Sequence, residues 1–120
     1  MRVDLPVRQR GNSRDLNMDL DPTAVTHAVD LLKALCDPTR LQIMATLRDA
    51  EDPVCVCDFT AALGLSQPTI SHHIGKLRQA GLVKVTRSGI WSFYALAPNL
   101  ALPDRALLDS AVAAATIASR

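Results

Sequence analysis

Two groups of residues in this chain have types and spacing suited to chemistry. The first is a thiol pair, Cys55 and Cys57, in the run Val54-Cys55-Val56-Cys57-Asp58-Phe59. Side chains alternate along extended backbone, so residues i and i+2 share a side. Two sulfurs placed that way converge on one soft ion. Thiolates suit arsenic, antimony, cadmium, lead, zinc and copper(I) better than hard ions. A helix is expected from about Asp58 to Leu63, which puts Cys57 at a helix start, where the dipole favours thiolate. The plain alternative is two small half-buried residues that bind nothing, since cysteine is among the most buried types.

The second group lies between Ser66 and Gln79. With Ile70, Ile74 and Leu77 turned to a core, 100° per residue points Pro68, His72, Gly75 and Gln79 directly away. Thr69, Ser71 and Lys76 flank that face, and Ser66 and Gln67 stand at its N-terminal end. It carries hydroxyls, an amide, an imidazole and an ammonium, with no acid and no large apolar group. Such groups donate to phosphates and to base edges, Gln pairing with adenine and Ser or Thr with several bases. Arg87, further on, is expected to reach a neighbouring groove or phosphate, with Lys84 and Arg78 adding backbone attraction. The bland reading is an ordinary solvated helix face. His73 falls nearer the buried side, where a packed, hydrogen-bonded histidine is expected.

The elements that must hold these groups are legible from caps and periodicity. Asp21-Pro22 opens a helix, with Ala24, Ala28, Leu31 and Leu35 at helical spacing and Val25, Val29 and Leu32 beside them. Asp37-Pro38 ends it and opens another, with Leu41, Met44, Leu47 and Ile43 apolar, stopped at Glu51-Asp52-Pro53. Val54–Val56 reads as extended. The short helix from Asp58 closes at Gly64, and Ser66 caps the helix that Gly81 closes. Leu82–Thr86 and Ile90–Leu96 alternate around an Arg87-Ser88-Gly89 turn and read as a hairpin, with Trp91, Phe93 and Ala95 on one side. Asp104 is expected to cap a last helix to about Ser119, where Leu107, Ala111, Ala114 and Ala118 form a small-residue stripe suited to close helix approach. Residues 1–20 read as a flexible tail and 21–120 as one domain.

A short helix, a tight turn, a second helix and a hairpin are the parts of a winged helix-turn-helix. The expected fold is therefore mainly α with a β-hairpin wing. Composition agrees: the 120 residues are 48% hydrophobic but only 3% aromatic, which favours helix packing by aliphatic residues. A thin core at this length, with the terminal helices, suggests a homodimer. Net charge is only +1, yet no Asp or Glu falls between Asp58 and Asp104, so a basic surface is available locally. Three cysteines, an N-terminus without an apolar h-region and the lack of a membrane-length apolar run point to a cytoplasmic protein with reduced thiols.

Several stretches together resemble one family. Leu35-Cys36-Asp37-Pro38-Thr39-Arg40-Leu41 is similar to the ALxDPTRL segment of ArsR/SmtB-type bacterial repressors, and Val54–Phe59 to the CVCDL segment of their arsenic-sensing branch. Gly64-Leu65-Ser66-Gln67-Pro68-Thr69-Ile70-Ser71-His72-His73 resembles their recognition helix, and Gly81-Leu82-Val83 with Trp91–Leu96 their wing. The similarity spans roughly residues 24–100. It implies a dimeric repressor that binds an imperfect palindrome in double-stranded DNA and leaves it when a metal or metalloid binds. The inducer implied is arsenite, antimonite or a soft divalent metal held at Cys55 and Cys57.

The chain departs from that pattern in one place. Thr60 stands where close relatives often carry a third cysteine, and trivalent arsenic takes three thiolates. Cys36 is a doubtful substitute, because a helix of about 12 residues separates it from Cys55 by roughly 18 Å in one subunit. The last helix has Asp104 and Asp109 but no histidine, and residues 1–22 hold no cysteine. Rival readings are a thiol redox switch at the same pair, a sensor of a harder metal such as nickel, a regulator without an inducer site, and a winged helix that binds only protein. An enzyme with Cys57 as nucleophile beside His72 or His73 lacks any accompanying phosphate loop, acid pair or oxyanion element.

Overall fold

The computed structural model describes Gly11 and residues 13–116. Most of the expected N-terminal tail, residues 1–10 and 12, and residues 117–120, which include the expected end of the last helix near Ser119, lie outside that set.

Three helices start on caps that the sequence announces. Asp21 Oδ2 accepts from the Ala24 N–H at 2.9 Å and opens α1 (Pro22–Leu35). Asp37 Oδ2 accepts from the Arg40 N–H at 3.0 Å and opens α2 (Pro38–Asp49). Ser66 caps α4 (Gln67–Gln79). Each has Pro in the first turn, where its missing N–H costs nothing, and such a cap contributes about 1 kcal/mol. Between α2 and α4 stand β1 (Val54–Cys55) and α3 (Val56–Leu63); after α4 come β2 (Val83–Ser88), β3 (Trp91–Leu96) and α5 (Leu102–Ala115).

Ile43, Met44 and Leu47 of α2 are buried at the centre, met by Leu31 and Leu35 of α1, Phe59 of α3, Ile70, Ile74 and Leu77 of α4, and Leu108 and Val112 of α5. Burying one such aliphatic side chain stabilises by about 1.5–3 kcal/mol. This core fixes α4 against α2 and α3 and leaves its opposite face in solvent. Gly64, at φ 66°, ends α3 in the left-handed region and turns the chain into Ser66.

The sheet has three antiparallel strands in the order β1-β3-β2. Pairs Val83↔Leu96 to Ser88↔Trp91 form the wing, and Val54↔Tyr94 and Cys55↔Phe93 attach β1 to it. The wing turn is Gly89-Ile90, not Arg87-Ser88-Gly89: Arg87 and Ser88 pair with Ser92 and Trp91 inside the ladder. Gly89 at φ 61° supplies the positive φ that a tight two-residue turn needs. The buried side chain of β3 is Tyr94, opposite in parity to Trp91, Phe93 and Ala95; Trp91 is exposed.

Asp104 does not cap the last helix. Ala101 stands at the N-cap without a side-chain hydrogen bond, and Asp104 lies in the first turn. Its carboxylate is instead directed to α1, where His27 Nε2 lies 2.7 Å from Asp104 Oδ2. Asp109, on the same helix, is 3.0 Å from Arg105 Nε and 3.7 Å from Arg48 Nε of α2. No helix among the described residues is long and apolar enough to cross a membrane.

Candidate DNA-reading helix and thiol site

The outward face of α4 has the composition its spacing implies. Ser66, Gln67, Pro68, Thr69, Ser71, His72, Lys76 and Gln79 are exposed, while Ile70, Ile74 and Leu77 are buried. At the N-terminal end the Ser66 hydroxyl lies 2.9 Å from the Thr69 hydroxyl and accepts from the Thr69 N–H at 3.4 Å. Lys84 and Arg87 are exposed on β2. The structure thus leaves every expected DNA-facing residue (Ser66, Gln67, Thr69, Ser71, His72, Lys76 and Arg87) in solvent. Six of these seven lie on one helix or its cap, with Arg87 on the wing.

His73 is half-buried and is held from below. Arg40 Nη1 lies 3.4 Å from His73 Nδ1, Arg40 Nε donates to the Ala34 carbonyl at 2.7 Å, and Arg40 Nη2 reaches the Lys33 carbonyl at 3.4 Å. One guanidinium therefore closes the C-terminal turn of α1 and touches α4. Guanidinium can only donate, so this contact is a hydrogen bond only while His73 is neutral with Nδ1 unprotonated. Asp37 Oδ2 stands 3.7 Å from the same nitrogen, beyond hydrogen-bond reach. The Arg40 backbone N–H holds the Asp37 carboxyl below the usual range, with the nearby His73 and Arg40 side chains adding to the effect against a smaller cost of burial. These links were not visible in the sequence, because Arg40 and His73 are 33 residues apart.

The thiol pair departs from the extended geometry expected of it. The helix begins at Val56, so Cys55 is its N-cap and Cys57 already lies in its first turn. The cause is a capping box: Cys55 Sγ accepts from the Cys57 N–H at 3.3 Å, and Asp58 Oδ2 accepts from the Cys55 N–H at 3.1 Å. Asp58, read as the start of the helix, is its third residue. Cys55 is buried and Cys57 exposed, and both are free thiols. A side-chain hydrogen bond between the two thiols, distinct from the backbone cap, is the main reason the Cys57 thiol is raised above its ordinary range, with partial desolvation and the charges of Cys55 and Asp58 acting the same way. These outweigh the one opposing influence, a backbone hydrogen bond, so the thiolate expected at this helix start is not favoured.

The two sulfurs nevertheless belong to one local unit at the mouth of α3. Among the described residues no group of three His, Cys, Asp or Glu side chains is placed to hold a metal ion. Cys36 is the exposed C-cap of α1. Thr60, at the position of the absent third thiol, donates its hydroxyl to the Cys57 carbonyl at 2.9 Å.

Residues 37–85, from the cap of α2 into the wing, match the profile of the arsR family of bacterial regulatory proteins. An arsenical resistance operon repressor of Escherichia coli is 39% identical over 83 residues, covering 69% of this chain and 70% of that one. The chain belongs to the arsR family. HlyU from Vibrio cholerae superposes with a TM-score of 0.65 at 31% identity, covering 75% of this chain and 92% of HlyU. A homodimeric winged helix-turn-helix DNA-binding domain from Mycobacterium bovis, a possible ArsR-family regulator, superposes at the same TM-score, 0.65, with 24% identity over 85% of this chain and 90% of that one. The fold is thus the winged helix-turn-helix, α3 and α4 forming the helix-turn-helix and β2 and β3 the wing. Membership of a family of regulatory proteins also sets aside the reading of Cys57 as an enzyme nucleophile.

Proposed function

We propose that this protein is a homodimeric, cytoplasmic transcriptional repressor. It binds a palindromic operator through α4 and the wing and leaves it when arsenite or another thiophilic ion binds Cys55 and Cys57. The observation that carries the DNA reading is the outward face of α4, polar, free of acids and capped at Ser66, on a helix whose other face is locked in the core. The operon-repressor name of the Escherichia coli relative supports the same role. A second copy is supported by Val25, Val29 and Leu32, which leave an apolar strip exposed on α1, and by the homodimeric Mycobacterium bovis neighbour. A two-fold axis turns one reading helix into two, spaced for half-sites about one helical turn apart.

The sensing step follows from the cap. Cys55 Sγ holds the first turn of α3 by accepting from the Cys57 N–H. An ion that takes the Cys55 lone pair removes that acceptor, and the Cys57 sulfur must swing toward the same ion. The start of α3 is then rebuilt. Because α3 packs on α4 and Cys55 is paired to Phe93 of the wing, this one turn touches both DNA-facing elements. Arsenite needs no base for this: two As–S bonds would replace two As–O bonds of As(OH)₃, and the displaced hydroxides would leave as two waters carrying the two thiol protons. A divalent cation must displace protons. A coupling of 1–3 kcal/mol, about 5–150-fold in affinity, is the usual size for such a switch.

The test is fluorescence anisotropy of a labelled duplex, selected by the protein from a random library, titrated with reduced protein and then with arsenite, cadmium, zinc and nickel. Tight, salt-dependent binding reversed by arsenite or cadmium is the expected result. Binding that no thiophilic ion reverses would contradict the sensor, and no binding would contradict the repressor.

A further inference from the structure

The tip of the wing is apolar where a solvated turn would be polar. Ile90, second of the two turn residues, is 88% exposed, and the adjoining Trp91 is 49% exposed. The chain has only one Trp, one Tyr and two Phe, so leaving half of its one indole in water gives up a large part of a scarce apolar resource. The turn itself does not require isoleucine. Gly89 supplies the positive φ, and the next position accepts polar residues at no cost. Behind the tip stand Arg87 and Lys84, both exposed, with no acid anywhere from residue 59 to residue 103.

We propose that the Ile90–Trp91 tip is an apolar wedge that enters the minor groove of duplex DNA beside the groove read by α4. It unstacks a base step there and gives the protein a preference for deformable sequence it does not touch through base edges. The inference rests on the duplex-DNA reading above and extends it to the wing. Charge favours this occupant, because an acid-free surface carrying Arg87 and Lys84 meets a polyanion. Reach favours it too. Five residue steps carry the strand about 17 Å from Val83, at the foot of the wing, to Ser88. The centre of the next groove lies about half of a ~34 Å helical turn from the one α4 occupies. Apolar side chains inserted between base steps kink the duplex toward the major groove, and the unstacking cost is recovered as protein surface on the bent DNA.

Trp91 is the sole tryptophan, so its emission reports the tip without a label. In one titration, anisotropy of a labelled selected duplex reads binding while acrylamide quenching of Trp91 reads burial of the tip. On binding, the emission should shift to the blue and quenching should fall. Ile90→Ser should weaken binding about 10–100-fold for each wing that enters the duplex, the equivalent of one buried isoleucine per protomer, and reduce DNA bending measured by end-to-end energy transfer. Its thermal unfolding should match the parent, because Ile90 supports no core, and Ile90→Leu should retain affinity and bend. Duplex bound normally while Trp91 stays open to acrylamide, or Ile90→Ser with parental affinity and bend, overturns the wedge and leaves the DNA reading standing. Protection of Trp91 that grows with protein concentration in the absence of DNA would assign the tip to a second copy and also overturn it. No anisotropy change with any duplex would remove both.

Discussion

The two helices of the helix-turn-helix begin in chemically opposite ways. α4 starts on Ser66, whose hydroxyl accepts from the Thr69 N–H and lies against the Thr69 hydroxyl, and it is anchored by Ile70, Ile74 and Leu77. α3 starts on Cys55, whose sulfur is a weak acceptor, with Asp58 completing the box. Oxygen at one cap and sulfur at the other divides the labour. The reading helix is fixed by a hard cap that thiophilic ions ignore. The helix beside it is fixed by a soft cap, which on the proposed function is the one such ions take. A regulator of this design needs no large cavity for its signal, only a first turn whose hydrogen bond competes with a metal–sulfur bond.

That contrast can be broken at several points, beginning with the anchors of α4. Leu77→Ala, at a position with no solvent exposure, should cost about 2–5 kcal/mol in urea unfolding and lower DNA binding by loss of fold. A smaller and more selective effect is expected at the reading face. Gln67→Ala should keep stability and relax preference at one base pair of each half-site by about 1–3 kcal/mol, read by anisotropy against single-substituted duplexes. Lys76→Ala should weaken all duplexes alike and lower the slope of log affinity against log salt by about one per protomer, about two for the dimer.

The caps give the sharpest contrast. Ser66→Ala should lower stability by about 1 kcal/mol. Cys55→Ser should leave stability unchanged or raise it, since an oxygen acceptor replaces a sulfur, while release by arsenite is lost. If Cys55→Ser instead destabilises as much as Ser66→Ala, the soft-cap account fails. The smallest effects concern pH. The folded Cys57 thiol titrates above its ordinary range, so this group favours the fold while protonated, and that contribution is lost as pH rises from the ordinary thiol range through the raised folded value. Cadmium must displace these protons, so its affinity should increase with pH below that value, whereas arsenite should show a much weaker trend over the same window. Asp37 runs the other way. Its lowered folded pKa favours the fold above the ordinary carboxylate range and is lost on acidification, an acid limb that Asp37→Asn should flatten.

What was legible in the sequence was local. Asp21, Asp37 and Ser66 were readable as caps because the cap and the N–H it satisfies are three residues apart. The buried stripe Ile70, Ile74, Leu77 follows from helical period alone. Cys55 was misread because Val54-Cys55-Val56 has strand-like composition, and only the pairing Cys55↔Phe93 shows where the strand stops. The wing turn was placed too early for a related reason: Arg87-Ser88-Gly89 has turn composition, but register sets Ser88 opposite Trp91 and leaves Gly89-Ile90 as the turn. Asp104 drew attention as a cap, although its partner His27 lies 77 residues earlier. Residues of that separation meet only after packing, and periodicity carries no record of it.

The measurement that bears most directly on the account is release of a selected duplex by arsenite, compared between the parent protein and a Cys55→Ser, Cys57→Ser double variant. The account predicts equal affinity for DNA before arsenite, release from the parent, and no release from the variant at the same concentration. Release of the variant at parental arsenite would contradict the thiol pair as the sensor.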